Sequence, residues 1–195
     1  MLLVAGNVGY VNQNLHKILE LIPKLEPKCG NSVVITVDGP SGSGKTTLAK
    51  EISAVLDLSY TVHMDDLYEG WESTLTPKLT GKLSEILMQV KIENRIRFAP
   101  YSWLESRLAA EIQSPAPKYL ILEGVGSGQS AIRSYVSLAL WIEVLPGIGL
   151  ERVIKRDGPA VAAFMPDFIL QADAHFEKEG TKKSADYRLS GQGTV

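Results

Sequence analysis

The stretch GPSGSGKTT, residues 39–47, has the residue types and the spacing that suit anion binding. It satisfies the pattern G-x-x-x-x-G-K-[ST], with Gly39, Gly44, Lys45 and Thr46 at the four specified positions. Glycines allow the backbone to turn successive N–H groups inward around an anion. The lysine can reach the β- and γ-phosphates of a nucleotide, and the threonine hydroxyl can face Mg²⁺. The pattern therefore predicts a site for a nucleoside triphosphate.

The segments on both sides of this loop are those that a phosphate site requires. SVVITVDG (32–39) is a continuous β-branched run, typical of a strand buried on both faces, and helical spacing follows the loop. A helix that begins near Gly44 adds free N–H groups and a positive dipole end. A flexible Gly/Ser turn is the alternative, but this context favours phosphate binding, with ATP and Mg²⁺ as the expected cofactors. The expected nucleotide ligands in the loop are Gly39, Ser41, Gly42, Ser43, Gly44, Lys45, Thr46 and Thr47.

Two adjacent carboxylates end the second predicted strand, YTVHMDD (60–66). Phosphoryl transfer to an alcohol needs a group that orients the hydroxyl and accepts its proton. In extended chain Asp65 and Asp66 point in opposite directions, so only one would face the phosphates. Turn or helix-capping roles are equally common for aspartate. The residues alone leave both interpretations open, and the preceding His63 is interpreted as a strand residue.

The third predicted strand, within PKYLILEGVGSG (117–128), places Glu123 at its carboxyl end. Because ligands of parallel sheets bind at this edge, the carboxylate is expected to hold Mg²⁺ directly or through water. An exposed strand-end glutamate is the alternative, and the glycines that follow favour a ligand site. The expected metal ligands from the residues themselves are therefore Thr46 and Glu123.

Two further groups of residues have both a structural and a functional interpretation. Arg152 and Arg156 share one face of a predicted helix. Spacing alone favours a solvated surface for this face. The alternative is that the two arginines cover a γ-phosphate. Four aromatic residues in predicted loops could stack on a planar substrate or form a small subsidiary core. They are Tyr68, Trp71, Tyr101 and Trp103.

Strand and helix patterns alternate along the chain, which predicts an α/β fold with a parallel sheet covered on both faces. Further strands are predicted at 136–146 and 185–191, and helices at 14–27 and 150–158. Residues 82–113 carry helical patterns broken by Pro100. The predicted organisation is a helical extension, residues 1–27, packed on a single domain, residues 28–195.

The composition sets limits on the class of protein. The chain has 195 residues, 45% of them hydrophobic, and a net charge of −2, so bulk electrostatics predicts neither nucleic-acid nor membrane binding. One cysteine, Cys29, allows no internal disulfide and is interpreted as a buried apolar side chain. A cytoplasmic protein with a small-molecule acceptor is expected, and assembly as a homodimer stays open.

Five segments together resemble the uridine kinase-like P-loop kinases, and most of all their actinobacterial branch. They are VDGPSGSGKTTLA, HMDDLYEGW, YLILEGVGSGQ, ERVIKRDG and HFEKEGTKKSADYRLSG, in that order between about residues 28 and 191. The resemblance implies the P-loop NTPase three-layer αβα sandwich, with a five-stranded parallel sheet of order 2-3-1-4-5. Kinases of several acceptors share this architecture, including pantothenate kinase and phosphoribulokinase.

The resemblance also implies roles for particular residues. Asp65 corresponds to the catalytic aspartate of the family, which also approaches Mg²⁺, and Lys45 neutralises phosphate charge. Arg152 and Arg156 correspond to the lid arginines, and Lys183 lies where the family passes the adenine. Residues that would form the acceptor pocket are Asp66, Tyr68, Trp71, Tyr101, Trp103 and Arg107.

Two departures from the family pattern affect the expected acceptor. Ser102 stands where the branch has an aspartate, and the short region 72–100 offers no identifiable β-hairpin. The leading hypothesis is an ATP- and Mg²⁺-dependent small-molecule kinase, with a nucleoside-like acceptor favoured. A kinase for a pantothenate- or sugar-like metabolite is one alternative. A nucleotide-binding switch without an acceptor is the other.

Overall fold

The structure is a computed structural model that describes residues 11–191. Within these residues it contains nine strands and six α-helices. The strands are β1 (Val33–Asp38), β2 (Ser59–His63), β3 (Arg95–Phe98), β4 (Tyr101–Ser102), β5 (Arg107–Leu108), β6 (Ile112–Pro115), β7 (Tyr119–Glu123), β8 (Val136–Glu143) and β9 (Tyr187–Ser190). The helices are α1 (Val11–Leu21), α2 (Lys45–Ala54), α3 (Pro77–Met88), α4 (Pro146–Asp157), α5 (Met165–Glu179) and α6 (Thr181–Ser184).

Five of these strands form a parallel sheet in the order β2-β7-β1-β8-β9. Numbered along the chain among themselves, these strands have the order 2-3-1-4-5, which confirms the predicted topology. The central strands β1 and β7 are buried at every position, as their unbroken apolar runs indicate. Helices cover both faces, so the fold is the predicted three-layer sandwich.

Each face of the sheet contributes to a separate hydrophobic core, because successive side chains of a strand point to opposite faces. On one face Ile35 packs in a cluster with Ile18 of α1 and Ile52 of α2. On the other face Val34 belongs to a cluster that includes Leu83 of α3 and Phe168 of α5. The carboxyl ends of the strands are thereby held rigidly at one edge, where the loops of interest begin.

Helix α1 confirms the helical pattern that the sequence shows after residue 14. Leu15 and Ile18, together with Ile22 in the 3-10 turn that follows, are buried against the sheet. Residues 1–10 of the expected extension lie outside the described residues. The division of the chain at residue 27 stays a prediction.

The structure of segment 95–115, here named the hairpin arm, differs from two expectations based on the sequence. The helical patterns predicted for 82–113, with a break at Pro100, are confirmed only through α3 and the π-helical turn Gln89–Glu93. Asn94 then takes a left-handed conformation, with φ 51°, and strands follow. β3 pairs with β6 and β4 with β5, both antiparallel, so a β-hairpin is present where none was expected. The alternation of Arg95-Ile96-Arg97-Phe98, with Ile96 buried, is the period-2 signal that favours a strand.

Two predictions from composition can be compared with the described residues. None of the helices within 11–191 is long and apolar enough to cross a membrane. Cys29 is fully buried, and its Sγ donates to the carbonyl oxygen of Leu87 at 3.2 Å. Burial raises the pKa of the Cys29 thiol to about 11, which confirms its interpretation as a buried side chain.

The packing of α1 leads to a stability prediction. We expect Ile18→Ala to lower the free energy of unfolding by about 2–5 kcal/mol, because it leaves a cavity at a fully buried position. The matched control is Lys17→Ala on the exposed side of the same helix, which should change stability by less than about 0.5 kcal/mol. Denaturant unfolding measures both. Equal midpoints for the two variants would show that α1 contributes nothing to the folded core.

Candidate active site

The glycine loop connects β1 to α2, and its backbone has the conformations that its glycines allow. Gly39, Gly42 and Gly44 have φ values of 144°, 71° and 100°, which residues with a side chain rarely adopt. Gly42 also lies against α4, where an added Cβ would be 2.2 Å from the carbonyl oxygen of Gly149. Local backbone conformation therefore favours glycine at all three positions, and at Gly39 and Gly42 the neighbouring backbone also leaves no room for a side chain.

Lys45 begins α2 and lies over this loop. Its Nζ donates to the carbonyl oxygen of Pro40 at 2.7 Å, and the residue is only 7% exposed. Burial lowers the pKa of Lys45, while the negative charges of Glu123, Asp38 and Asp65 act in the opposite direction. A cation is thus held at the mouth of the loop with carboxylates around it.

Asp38, the last residue of β1, is a site residue that sequence reasoning missed. Its buried carboxylate accepts hydrogen bonds from the backbone N–H groups of Gly39, Gly126 and Gly128, at 2.7, 3.1 and 2.8 Å. Removal from water raises the pKa of Asp38 to about 6, although these three donors and Lys45 stabilise its charged form. The side chain joins the glycine loop to the loop that follows β7. The signal in the sequence was a carboxylate immediately before the first glycine.

The two residues expected to hold Mg²⁺ lie together. Thr46 Oγ1 donates to Glu123 Oε1 at 3.2 Å, and Glu123 Oε2 is 2.6 Å from His63 Nδ1. Hydroxyl and carboxylate oxygens are the ligands that Mg²⁺ prefers, and Mg²⁺ usually takes only one or two protein carboxylates besides phosphate and water. Consistently, residues 11–191 contain no cluster of three or more acidic, histidine or cysteine side chains that could hold a metal by itself. The residues present therefore fit Mg²⁺ bound together with a nucleotide.

His63 is the second functional candidate that the sequence interpretation missed. It ends β2, and the strand register pairs it directly with Glu123 at the end of β7. The hydrogen bond to the Glu123 carboxylate is the main reason that the pKa of His63 is raised, so Nδ1 is the donor. Such a partner holds a metal-ligating carboxylate in one orientation. Only the register between two strands distant in sequence reveals the pair.

Asp65 and Asp66 do not continue β2 as predicted. The strand ends at His63, and Met64–Asp66 form a 3-10 turn, in which successive side chains do not point in opposite directions. Both carboxylates consequently line the same cavity. Of the two, Asp65 is the one whose charge acts on the pKa of Lys45 at the glycine loop, and the expectation that only one faces the phosphates stays a prediction. The pKa of Asp65 is raised, first because surrounding protein displaces water and then because of the Glu123 charge.

A cavity of about 710 Å³ extends from the glycine loop past these carboxylates. Its polar end contains Ser41, Gly42, Lys45, Thr46 and Glu123. Its opposite end is formed by four aromatic side chains, named here the aromatic end: Trp71, Trp103, Phe164 and Phe168. One continuous space, which Asp65 and Asp66 also line, thus connects a phosphate-type loop to a largely apolar pocket.

The expected acceptor residues divide into those that line this cavity and those that do not. Asp66, Tyr68, Trp71 and Trp103 line it, with Tyr68 otherwise buried. Tyr101 lies outside the cavity wall and packs edge-on against Trp103, with ring centroids 5.4 Å apart.

Two further residues of the hairpin arm lie away from the cavity wall. The Arg107 side chain is 67% exposed and pairs with Glu105 at 2.9 Å, because β5 turns it away from the cleft. Ser102, at the departure from the family pattern, accepts a hydrogen bond from the N–H of Glu105. Ser102 is the last residue of β4 and does not line the cavity.

The expected cationic residues have different environments. Arg152 Nη1 donates to the carbonyl oxygens of Gly42 and Gly191, at 3.2 and 2.7 Å. Arg156 forms two hydrogen bonds to Asp157, at 2.6 and 2.7 Å, and lines the main cavity. Both arginines also border a second cavity of about 270 Å³ beside the glycine loop.

Several residues of the expected nucleotide site do not line either cavity. Lys183 is exposed on α6. Gly39 packs against the backbone of Ile142 instead, and Ser43 is buried. The Ser43 hydroxyl has no hydrogen-bond partner in the described part of the chain.

Comparisons with known proteins agree with this geometry. No protein-family model matches the chain. It is 27% identical over 137 residues, 66% of its length, to uridine-cytidine kinase C from Dictyostelium discoideum, and it spans 30% of the length of that relative. Among solved structures, a possible uridine kinase from Bacillus stearothermophilus has a TM-score of 0.65 and 21% identity, covering 92% of this chain and 98% of its own. A protein assigned as a fructose transport system kinase from Silicibacter sp. TM1040 has a TM-score of 0.62 and 16% identity, covering 90% and 98%.

Together, the sheet order, the glycine loop and these solved structures define the chain as a protein of the P-loop kinase fold. Within that class, its sequence similarity to a uridine-cytidine kinase confirms the resemblance to the uridine kinase-like P-loop kinases. The roles of the individual residues remain predictions.

The close approach of Gly42 to α4 allows a test of the loop. We expect Gly42→Ala to weaken ATP binding at least ~10-fold, because its methyl group would displace the loop and φ is 71° there. Calorimetric titration with MgATP measures this. The control is Gly147→Ala in the first turn of α4, where an added Cβ has no atom within 4 Å and affinity should be unchanged. Unaltered ATP binding by Gly42→Ala would show that the loop does not hold the nucleotide.

Proposed function

We propose that the chain is an ATP- and Mg²⁺-dependent phosphotransferase that phosphorylates a hydroxyl group of a small molecule. The observation that supports this best is the continuous cavity from the glycine loop past Asp65 to the aromatic end. Transfer to an alcohol requires a phosphate site, a proton acceptor and an acceptor pocket in line, and the cavity provides room for all three. The similarity to a uridine-cytidine kinase supports the same reaction class.

In this proposal the carboxylate of Asp65 accepts the proton of the acceptor hydroxyl as its oxygen bonds to the γ-phosphorus and the bond to the β-phosphate oxygen breaks. Lys45 and Arg156 neutralise negative charge on the transferring phosphoryl group. Mg²⁺, held by Thr46 and Glu123 with Asp65 nearby, would supply further charge neutralisation when bound. His63 keeps Glu123 in a single orientation through the hydrogen bond at 2.6 Å.

The acceptor hypotheses differ in what they require of the aromatic end. Similarity to a uridine-cytidine kinase favours a nucleoside-like acceptor, whose flat ring would suit stacked aromatic side chains. A pantothenate- or sugar-like metabolite is the alternative within the kinases. A nucleotide-binding switch would need no acceptor, and it predicts nucleotide turnover that no added alcohol accelerates.

The proposed base can be tested separately from nucleotide binding. We expect Asp65→Asn to lower the rate of phosphoryl transfer by at least ~10²-fold, the usual scale for loss of a general base. ATP affinity should remain nearly unchanged, because Asp65 lies beyond the glycine loop. Coupled measurement of acceptor-dependent ADP release gives the rate, and calorimetry gives the affinity.

The matched control is Asp173→Asn, an exposed aspartate of α5 that does not line the cavity and should leave transfer unaltered. Full turnover by Asp65→Asn would remove this residue from the catalytic role. Loss of ATP binding in the same variant would instead show that its carboxylate holds the nucleotide site together.

A further inference from the structure

Carboxylates line the cavity at several positions, and most of them have a partner or a role in the proposed transfer. They belong to Asp65, Asp66, Glu123 and Asp157. Glu123 is hydrogen-bonded to Thr46 and His63. Asp157 accepts two hydrogen bonds from Arg156. With Asp65 as the proposed base, Asp66 is the carboxylate of this set to which the reaction gives no task.

The side chain of Asp66 lies in the cavity wall without a bonded partner. Among residues 11–191, none donates a hydrogen bond to its carboxylate or forms an ion pair with it. The charge of His63 acts on it, but Nδ1 of that ring is bonded to Glu123. Asp66 is partly exposed, and a carboxylate that loses its remaining water without gaining a donor costs free energy. A ligand that fills the cavity must therefore bring a donor to Asp66.

The two adjacent aspartates differ in their distance from the phosphate end of the cavity. Besides burial, the main charges that act on the pKa of Lys45 include Asp65 but not Asp66. The same is true of Arg156, whose pKa is raised mainly by its hydrogen bonds to Asp157. Asp66 is thus farther from these cations than Asp65 is. Its position suits a contact with the acceptor better than a contact with the transferring phosphoryl group.

The turn that carries both aspartates is held by hydrogen bonds on several sides. The N–H of Leu67 donates to the carbonyl oxygen of Met64 at 2.9 Å. Trp103 Nε1 donates to the carbonyl oxygen of Asp65 at 2.9 Å, and Lys82 Nζ to that of Leu67 at 2.9 Å. Consecutive Cα atoms are about 3.8 Å apart, so a small ligand can reach both carboxylates of this turn. Carboxylates on a fixed backbone select ligands whose donors have a matching separation.

We propose that Asp66 determines acceptor specificity by accepting a hydrogen bond from a second donor group, hydroxyl or ammonium, within one or two carbons of the hydroxyl that faces Asp65. This inference rests on the proposed function and names the substrate class of the same site, which is diols and amino alcohols. Nucleoside-like and sugar-like acceptors both contain such a second donor, and a simple alcohol does not. A simple alcohol would cover Asp66 and leave it unpaired.

A matched set of acceptors tests this requirement. The compounds 2-phenylethanol, 1-phenyl-1,2-ethanediol and 2-amino-2-phenylethanol share one ring and one primary hydroxyl, and they differ only in the neighbouring hydrogen, hydroxyl or amino group. Uridine and 2′,3′-dideoxyuridine form a second pair. We expect kcat/KM for acceptor-dependent ADP release to be at least ~10-fold higher when the second donor is present. Calorimetry in the presence of MgADP measures binding of the same compounds without turnover.

Variants of Asp66 then identify the group that reads the second donor. Asp66→Ala should reduce the preference within each set to about onefold while the affinity for MgATP is retained. Asp66→Asn keeps an acceptor oxygen without the charge, so it should retain part of the preference for a hydroxyl donor and lose that for an ammonium donor. The matched control is Glu72→Ala, an exposed acidic residue outside the cavity wall, which should leave every preference unchanged.

The outcomes separate the inference from the proposed function. Equal kcat/KM within the sets, or a preference that survives Asp66→Ala, would overturn the inference and leave the kinase in place. A binding preference that Asp66→Ala removes, without transfer to any acceptor, would support the inference and overturn the kinase. Weaker MgATP binding by Asp66→Ala, or an equal loss for all acceptors, would assign Asp66 to the nucleotide site or to folding and overturn the inference. Absence of binding by every compound overturns it as well.

Discussion

One buried carboxylate holds the two glycine-containing loops of the site in position. Asp38 accepts hydrogen bonds from three glycine amides, one in the phosphate loop and two in the loop after β7. Burial of this carboxylate without these donors would cost considerably more free energy. Gly128 lies so near that an added Cβ would be 3.3 Å from Asp38 Oδ2. Asp38 therefore joins the glycine loop directly to the loop after β7.

The parallel sheet brings the ends of three strands together beside Asp38. The register aligns Glu123 with Val37 on one side and with His63 on the other, so three strands end at one level. Thr46 and His63 then meet the same carboxylate from opposite sides. Because the strands end together, charged groups collect at the sheet edge, and the apolar rings of the hairpin arm and α5 lie beyond them. The polar end at the glycine loop and the aromatic end thus share one cavity.

The sequence predicted those parts of the site whose structure is determined by residues close together in the chain. The spacing of Gly39, Gly44 and Lys45 indicates a phosphate loop, and the buried run before Glu123 indicates its position at the sheet edge. Within 82–113 the helical interpretation was wrong beyond residue 93, since short apolar periodicities fit helix and strand alike. Beyond α3 and its π-helical turn the chain forms the hairpin arm, which moves Arg107 away from the cavity and brings Trp103 to it.

By itself the sequence determined the sheet, because hydrophobic periodicity marks its strands, and the strand order followed from a resemblance. It also determined the glycine loop, because the backbone conformations of that loop favour glycine. Only the tertiary structure decided that His63 holds Glu123, that Asp38 joins two loops, and that Asp65 and Asp66 line the same cavity. These relations depend on strand register and on a 3-10 turn. They connect residues up to 90 positions apart in the chain, and no local pattern encodes such contacts.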